Sequence, residues 1–185
     1  MIILSGERVI LRHFTPDDLD IVLAGVNEPQ SARLTGTHAT FDRDQVAAYL
    51  QRNLTPEPDR AAFIFADIDT QRAIGEVVIN ELDSDNHSAN IRIAIFDPAD
   101  WGKGYGTDAM RLMVTYGFET LRLHRIELGV YDFNPRAIRA YEKAGFKHEG
   151  VRREALYWEG EYHNMMIMSV LEQEWTHSRS GERKG

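Results

Sequence analysis

Apolar residues recur along this chain with two periods, and the period assigns most elements. "ERVILRHFT" (7–15) is β-branched and apolar and reads as a strand. "AAFIFADID" and "AIGEVVINEL" read as two more, with a turn near "TQR" between them. In "NHSANIRIAIFDP", Ile91, Ile93 and Ile95 alternate with Arg92, Ala94 and Phe96, and Pro98 stops the strand. "RIELGVYD" alternates Ile126, Leu128 and Val130, and "VRREALYW" and "HNMMIMSVL" form a late strand pair around "EGE". The period changes to 3.6 in "TDAMRLMVTYGFETL", which puts Met110, Met113, Val114, Gly117, Phe118 and Leu121 on one helical face. Gly117 there lets another element approach closely.

Helix boundaries are marked by capping chemistry. Thr15 and Pro16 open a first helix, with Asp17 and Asp18 at the positive end of its dipole. A second begins after Phe41 and Asp42 and runs through "QVAAYLQRN"; Pro56 and Pro58 mark the loop beyond it. "NPRAIRAYEKAGF" is the best-defined helix. Asn134 is its N-cap, Pro135 its first-turn residue and Gly145 its left-handed terminator. The tail "THSRSGERKG" is polar and predicted to be disordered. There is no internal repeat or interdomain linker, so the layout is one mixed α/β domain, a sheet flanked by helices.

Composition narrows the chemistry. At 185 residues and 43% hydrophobic, the chain can bury a single core. A net charge of −8 argues against binding nucleic-acid phosphates and allows a cationic substrate such as an amine, although acidic proteins are common. The chain has no cysteine, which excludes disulfides, a thiol nucleophile and thiolate-bound metal. No apolar run reaches membrane-spanning length and the start lacks a signal-peptide pattern, so a cytoplasmic protein is expected. None of the seven histidines stands in a metal-ligand spacing; His124 and His163 read as structural, and no metal is expected.

The chemically distinctive stretch is "WGKGYG", Trp101 to Gly106, between a strand and a helix. Backbone N–H groups at a helix start form an anion site, and glycines let them come close. The P-loop pattern G-x-x-x-x-G-K-[ST] is absent, and a dinucleotide fingerprint would need glycine where Thr107 stands. A Rossmann-type oxidoreductase is therefore a poor fit, and a ligand-free glycine connection stays open by pattern alone.

Together, the strand, "WGKGYGTDAM" and "HRIELGVYDFNPRAIRAYEKAGF" resemble the GNAT superfamily of acyl-CoA-dependent N-acetyltransferases. The loop is similar to that family's [Q/R]-x-x-G-x-[G/A], with Trp101 in place of Gln or Arg, as in the branch holding the RimJ/RimL ribosomal-protein N-terminal and the spermidine acetyltransferases. The resemblance covers about residues 7–172. It implies a GNAT domain over 1–172 followed by a polar tail, 173–185. It further implies a mostly antiparallel sheet of six or seven strands, flanked by about four helices and splayed at an acyl-CoA cleft.

By the same resemblance, the backbone N–H groups of Trp101, Gly102, Lys103, Gly104, Tyr105, Gly106 and Thr107 bind the pyrophosphate of acetyl-CoA. The preceding strand splays at a bulge near Ile95, Phe96 and Asp97, pairs with the pantetheine arm and aims a donor at the thioester carbonyl. Asn134 and Ala137 contact the cofactor arm, with helix capping an equally good role for Asn134. Tyr141 is the general acid toward the leaving thiolate, and also suits a packed aromatic. Glu76 is the first candidate general base, with Glu81 and Glu28 as alternatives, each also readable as a surface carboxylate. Asn164 stands where many relatives carry Asp. The acceptor is a primary amine, first a protein N-terminal α-amine, otherwise a polyamine, antibiotic or small metabolite. A homodimer fits the branch, and a non-catalytic acyl-CoA-binding regulatory module is the reading from another class.

Overall fold

The computed structural model describes residues 2–55 and 59–175. The predicted Pro56–Pro58 loop and residues 176–185 of the predicted tail lie outside the described residues. Eight strands form one sheet: β1 (Ile2–Ser5), β2 (Val9–Arg12), β3 (Ala61–Asp67), β4 (Ala73–Asp83), β5 (Ser88–Ile95), β6 (Arg125–Tyr131), β7 (Lys147–Trp158) and β8 (Glu161–Leu171). Their order is β1-β2-β3-β4-β5-β6-β8-β7. Neighbours pair antiparallel, except β5 and β6, which run parallel. The helices are α1 (Leu19–Val26), α2 (Pro29–Thr35), α3 (Arg43–Asn53), α4 (Tyr105–Glu119) and α5 (Pro135–Lys143). This is the mixed α/β architecture that the periodicity and the family resemblance predict.

The period-2 alternation divides the sheet into two apolar layers. Phe63 and Phe65 of β3 join Met110, Met113 and Val114 of α4 in the larger core, on which α5 also packs. Ile64, between them, faces the other way and meets Val22 of α1 with Val46 and Leu50 of α3. Gly117 behaves as its pattern predicts. A Cβ there would come within 2.6 Å of Ile126 Cδ1, so the missing side chain lets α4 settle against β6.

The structure differs from the sequence expectations where apolar periodicity is weak. β1 is an additional short edge strand, and α2 is a helix with no buried residue, so neither carries a period. β7 starts at Lys147, earlier than "VRREALYW", because its early residues are exposed along the sheet edge. The predicted strand 7–15 shortens to β2, since Phe14 turns into the second core and Thr15 opens a tight 3-10 turn, Pro16–Asp18. Asp18 is buried and takes two hydrogen bonds from the Arg12 guanidinium, 2.8 and 2.6 Å, and one from the Thr15 N–H, 2.8 Å. Burial pushes its carboxyl up, and these partners more than offset it, leaving the pKa lowered. Within the predicted tail, residues 173–175 are helical and the Trp175 ring packs against Phe118.

Candidate functional site

The site begins with a failure of pairing. β5 and β6 are joined only at Ser88–Arg125, Ala89–Ile126 and Asn90–Glu127. Beyond that, β5 stays in register with β4 as far as Ile95–Gly75, and β6 with β8 as far as Tyr131–Met165. The facing edges of β5 and β6 diverge into a V, and a cavity of about 810 Å³ occupies it. The splay is as predicted, but its cause is not a bulge near Ile95–Asp97. β5 is regular there, with the Phe96 N–H donating to Ile74 O at 2.9 Å, and the register shift lies at the far end of the hairpin, between Asn80 and Asp83.

The glycine loop forms one wall. Gly102 (φ +77°) and Gly104 (φ +87°) take the left-handed conformation that side chains resist. The Asp108 N–H donates to Gly104 O (3.1 Å) as the first bond of α4. The N–H groups of Tyr105, Gly106 and Thr107 precede it and have no helical partner. Trp101, Gly102, Gly104, Gly106 and Thr107 line the cavity.

Side-chain anchors hold this loop from behind. Asp100 accepts two hydrogen bonds from Arg72, both 2.8 Å, and one from Lys103 Nζ at 3.0 Å. The Tyr105 hydroxyl donates to Asp67 (2.7 Å) and, with Thr70, holds that carboxyl down at about 2. Asp108 accepts the Arg8 and Val9 N–H groups at 2.8 and 3.0 Å, fixing α4 to β2.

Several predicted contacts are therefore redirected. The Trp101 N–H is spent on Pro98 O at 3.1 Å, so it is not available to a ligand. The Lys103 and Tyr105 side chains face the anchors and do not line the cavity. Phe96 points into the second core, where it fills the space beside Gly25, and Asp97 caps the Pro98–Asp100 turn by accepting the Ala99 N–H at 2.8 Å. Phe96 and Asp97 do not line the cavity; Ile95 does.

α5 forms the opposite wall. Asn134 caps it, accepting the Ala137 N–H at 3.2 Å, and both residues line the cavity. The Arg136 guanidinium lies 3.8 Å from the Trp101 ring centroid, a cation–π stack across the two walls. Arg136, Arg139 and Lys143 all reach the cavity, so this end is cationic. Tyr141 lines it as well; burial pushes its phenol up to about 12, and no hydrogen bond among the described residues claims the hydroxyl.

On the other side of the V, Glu76 lines the cavity but its oxygens are engaged. Tyr49 Oη donates to Oε2 at 2.8 Å and Arg92 Nη1 to Oε1 at 2.8 Å, while Arg92 Nη2 donates to Tyr49 Oη at 3.0 Å. Burial, then the Glu76 charge, pushes Tyr49 up to about 12. The alternatives to Glu76 lie outside the cavity lining. Glu28 caps α2 through the Ser31 N–H, and Glu81 is an exposed residue of β4. Asn164 accepts the Glu154 N–H at 3.0 Å and serves the β7–β8 hairpin. His163 packs edge-on to Phe133 and His124 lies near Glu172, both away from the cavity lining. Among the described residues, no group of three metal-ligating side chains occurs and no helix is long and apolar enough to cross a membrane.

Tyr49, Arg92 and Arg136 are the site residues that sequence reasoning missed. Arg136, Arg139 and Lys143 recur at the i, i+3, i+7 spacing of one helical face, so that stripe was available from "NPRAIRAYEK". Tyr49 and Arg92 come from elements joined only by the fold.

The sheet thus opens between two parallel strands, with a glycine-rich helix start on one wall and a cationic helix on the other. The model of the acetyltransferase (GNAT) domain family matches residues 8–147, and the chain belongs to that family. It is similar to the uncharacterized N-acetyltransferase YoaA of Bacillus subtilis, 28% identical over 91% of this chain and 96% of that protein. It is also similar to the putative ribosomal N-acetyltransferase YdaF of Bacillus subtilis, 35% identical over 55% of each. Among solved structures, the spermidine N-acetyltransferase of Vibrio cholerae in complex with CoA and spermine superposes with a TM-score of 0.83, at 25% identity, over 91% of this chain and 98% of that one. The protein is an N-acetyltransferase of the GNAT fold.

Proposed function

We propose that this protein binds acetyl-CoA in the V between β5 and β6 and transfers the acetyl group directly to a primary amine. The observation that carries the reading is convergence. The free N–H groups at the start of α4, the α5 cations and the unclaimed Tyr141 hydroxyl all border the same opening. That wall fits a polyanionic cofactor: the backbone of Gly102 to Thr107 takes the pyrophosphate, and Arg136, stacked on Trp101, brings a positive charge beside it.

Acetyl-CoA supplies an activated acyl carbon as a thioester. The amine nitrogen forms the new C–N bond as the C–S bond breaks, and backbone N–H groups of the splayed β5 edge stabilise the carbonyl oxygen. Tyr141 donates a hydrogen bond to the departing sulfur. With its phenol near 12 and a thiol near 8.5, complete proton transfer to the thiolate is uphill, so donation without transfer is the role that burial favours. Glu76 is better suited to holding an ammonium than to taking its proton. Each oxygen keeps a second lone pair for a donor, but protonation would strip Arg92 of its counter-charge. Proton loss from the amine is then set by the amine itself.

The acceptor is the finer question. A polyamine has the support of the Vibrio cholerae spermidine enzyme, which matches nearly the full chain. A protein N-terminus rests on the partial match to YdaF. CoA thiol release across an amine panel, with calorimetric CoA binding alongside, tests the transfer reaction. Binding without release would assign the chain to the non-catalytic CoA-binding class.

A further inference from the structure

The acceptor end of the cavity has a chemistry of its own. Its wall is built from α1, α2, the loop after α2, and α3, through Val22, Val26, Leu34, Phe41 and Val46. Val22 and Val46 are buried, and the other three are half-buried against the opening. Among the described residues, Glu76 is the single carboxylate lining the whole cavity. It is already matched by Arg92, so the pair is neutral overall. Arg60 adds a second guanidinium, 5.6 Å from the centroid of the Tyr49 ring.

One ammonium can be accommodated here, donating to the free lone pairs of Glu76. A second has no carboxylate to meet and would leave water for aliphatic side chains and two nearby arginines. A carboxylate on the acceptor fares little better, because Arg92 is already committed to Glu76 and to the Tyr49 hydroxyl, and Arg60 lies against the Tyr49 ring outside the cavity lining. Neutral polar groups have partners in Ser31, Thr35 and Gln45, which also line this end.

Resting on the acetyl-transfer reading above, we propose that the acceptor is a monoamine on an uncharged, largely apolar body, an arylalkylamine or alkylamine, and not a polyamine or an amino acid. The Tyr49–Glu76–Arg92 cluster receives the amine, and the α1–α3 wall receives the body. The likeness to a spermidine enzyme then reflects the shared fold.

The test is a panel of phenylethylamine, hexylamine, spermidine and phenylalanine, with kcat/KM read from CoA thiol release on the full chain. The two monoamines should exceed spermidine and phenylalanine by about tenfold or more, since each unmatched charge costs at least that much in transfer. Leu34→Asp supplies the missing carboxylate on α2, which has no buried residue to disturb. It should raise the spermidine-to-phenylethylamine ratio by about tenfold or more, with thermal unfolding and CoA affinity unchanged. Spermidine or phenylalanine turned over as well as the monoamines, or an unmoved ratio in the variant, overturns this inference and leaves the transferase standing. CoA binding with no turnover of any amine overturns the transferase reading, and this one with it.

Discussion

Two alanine substitutions, two residues apart, should have opposite effects. Gly104 sits at φ +87° and Gly106 in the first turn of α4 with an ordinary helical backbone. An alanine at 104 must hold a left-handed conformation, at a cost of about 1–2 kcal/mol. Its Cβ would also meet the Arg8 side chain, Nε at 3.0 Å and Cδ at 3.1 Å, although that chain can move aside. An alanine at 106 meets only Ile95 Cδ1 at 3.6 Å and Ile93 Cδ1 at 3.9 Å, which is normal contact. It gains about 0.4–1 kcal/mol by restricting the unfolded chain. For a domain of this size, Gly104→Ala should lower Tm by about 2–8 °C and Gly106→Ala should raise it by about 1–4 °C. Function should separate as well. If the loop at 104 relaxes out of the strained region, its N–H groups lose aim, and one charge-assisted hydrogen bond is worth about 1.5–3 kcal/mol. KM for acetyl-CoA should then rise about tenfold or more in Gly104→Ala, with KM for the amine little changed, while Gly106→Ala leaves both near wild type. Differential scanning calorimetry and two-substrate kinetics read these quantities. Equal shifts of the same sign in Tm, or an unchanged KM for acetyl-CoA in Gly104→Ala, would refute the role given to the loop.

Tyr141→Phe should lower kcat about 10- to 100-fold with KM for acetyl-CoA unchanged, the loss of one hydrogen bond to a charged sulfur; an unchanged kcat removes Tyr141 from the reaction. With Tyr141 raised to about 12 it keeps its proton across the working range, so log kcat/KM for an alkylamine should climb with pH toward the amine's own pKa near 10.4, and a plateau near neutrality would show that a protein base does accept the proton. Arg136→Met keeps a side chain over Trp101 but removes the charge, so CoA affinity by calorimetry should fall about tenfold and its salt dependence should weaken. Asp67 has a folded pKa of about 2, below its ordinary 3.8, so its contribution to stability is full above about pH 4 and is lost as pH falls toward 2. Tyr105→Phe should shrink that contribution, and acid-unfolding curves that superpose with wild type would deny the anchor.

The parts of the fold legible in the sequence are those with a period or a cap. α4 and α5, the alternating strands β5 and β6 and the glycine loop between two elements all follow from local pattern. α2 buries no residue and so leaves no apolar period, although Pro29 and Gly36 mark its ends, and the start of β7, residues 147–150, is exposed along the sheet edge and carries no period either. The site divides along the same line. The cofactor wall is made of two short continuous stretches, 101–107 and 134–143, and was readable. The acceptor wall gathers Tyr49, Glu76 and Arg92 from α3, β4 and β5, and Glu76 alone could not reveal that an arginine neutralises it. The splay follows from the family resemblance, but its origin lies in the three-residue pairing of β5 with β6, which no local motif encodes.

The central claim is transfer of an acetyl group from acetyl-CoA to a primary amine in this cleft. It is tested most directly by mass spectrometry of the amine together with CoA thiol release in the same reaction. The account predicts N-acetylated amine and free CoA in equal amounts, both abolished when either substrate is withheld and both slowed by Tyr141→Phe. CoA that binds tightly yet yields no acetylated amine and no thiol release would contradict it.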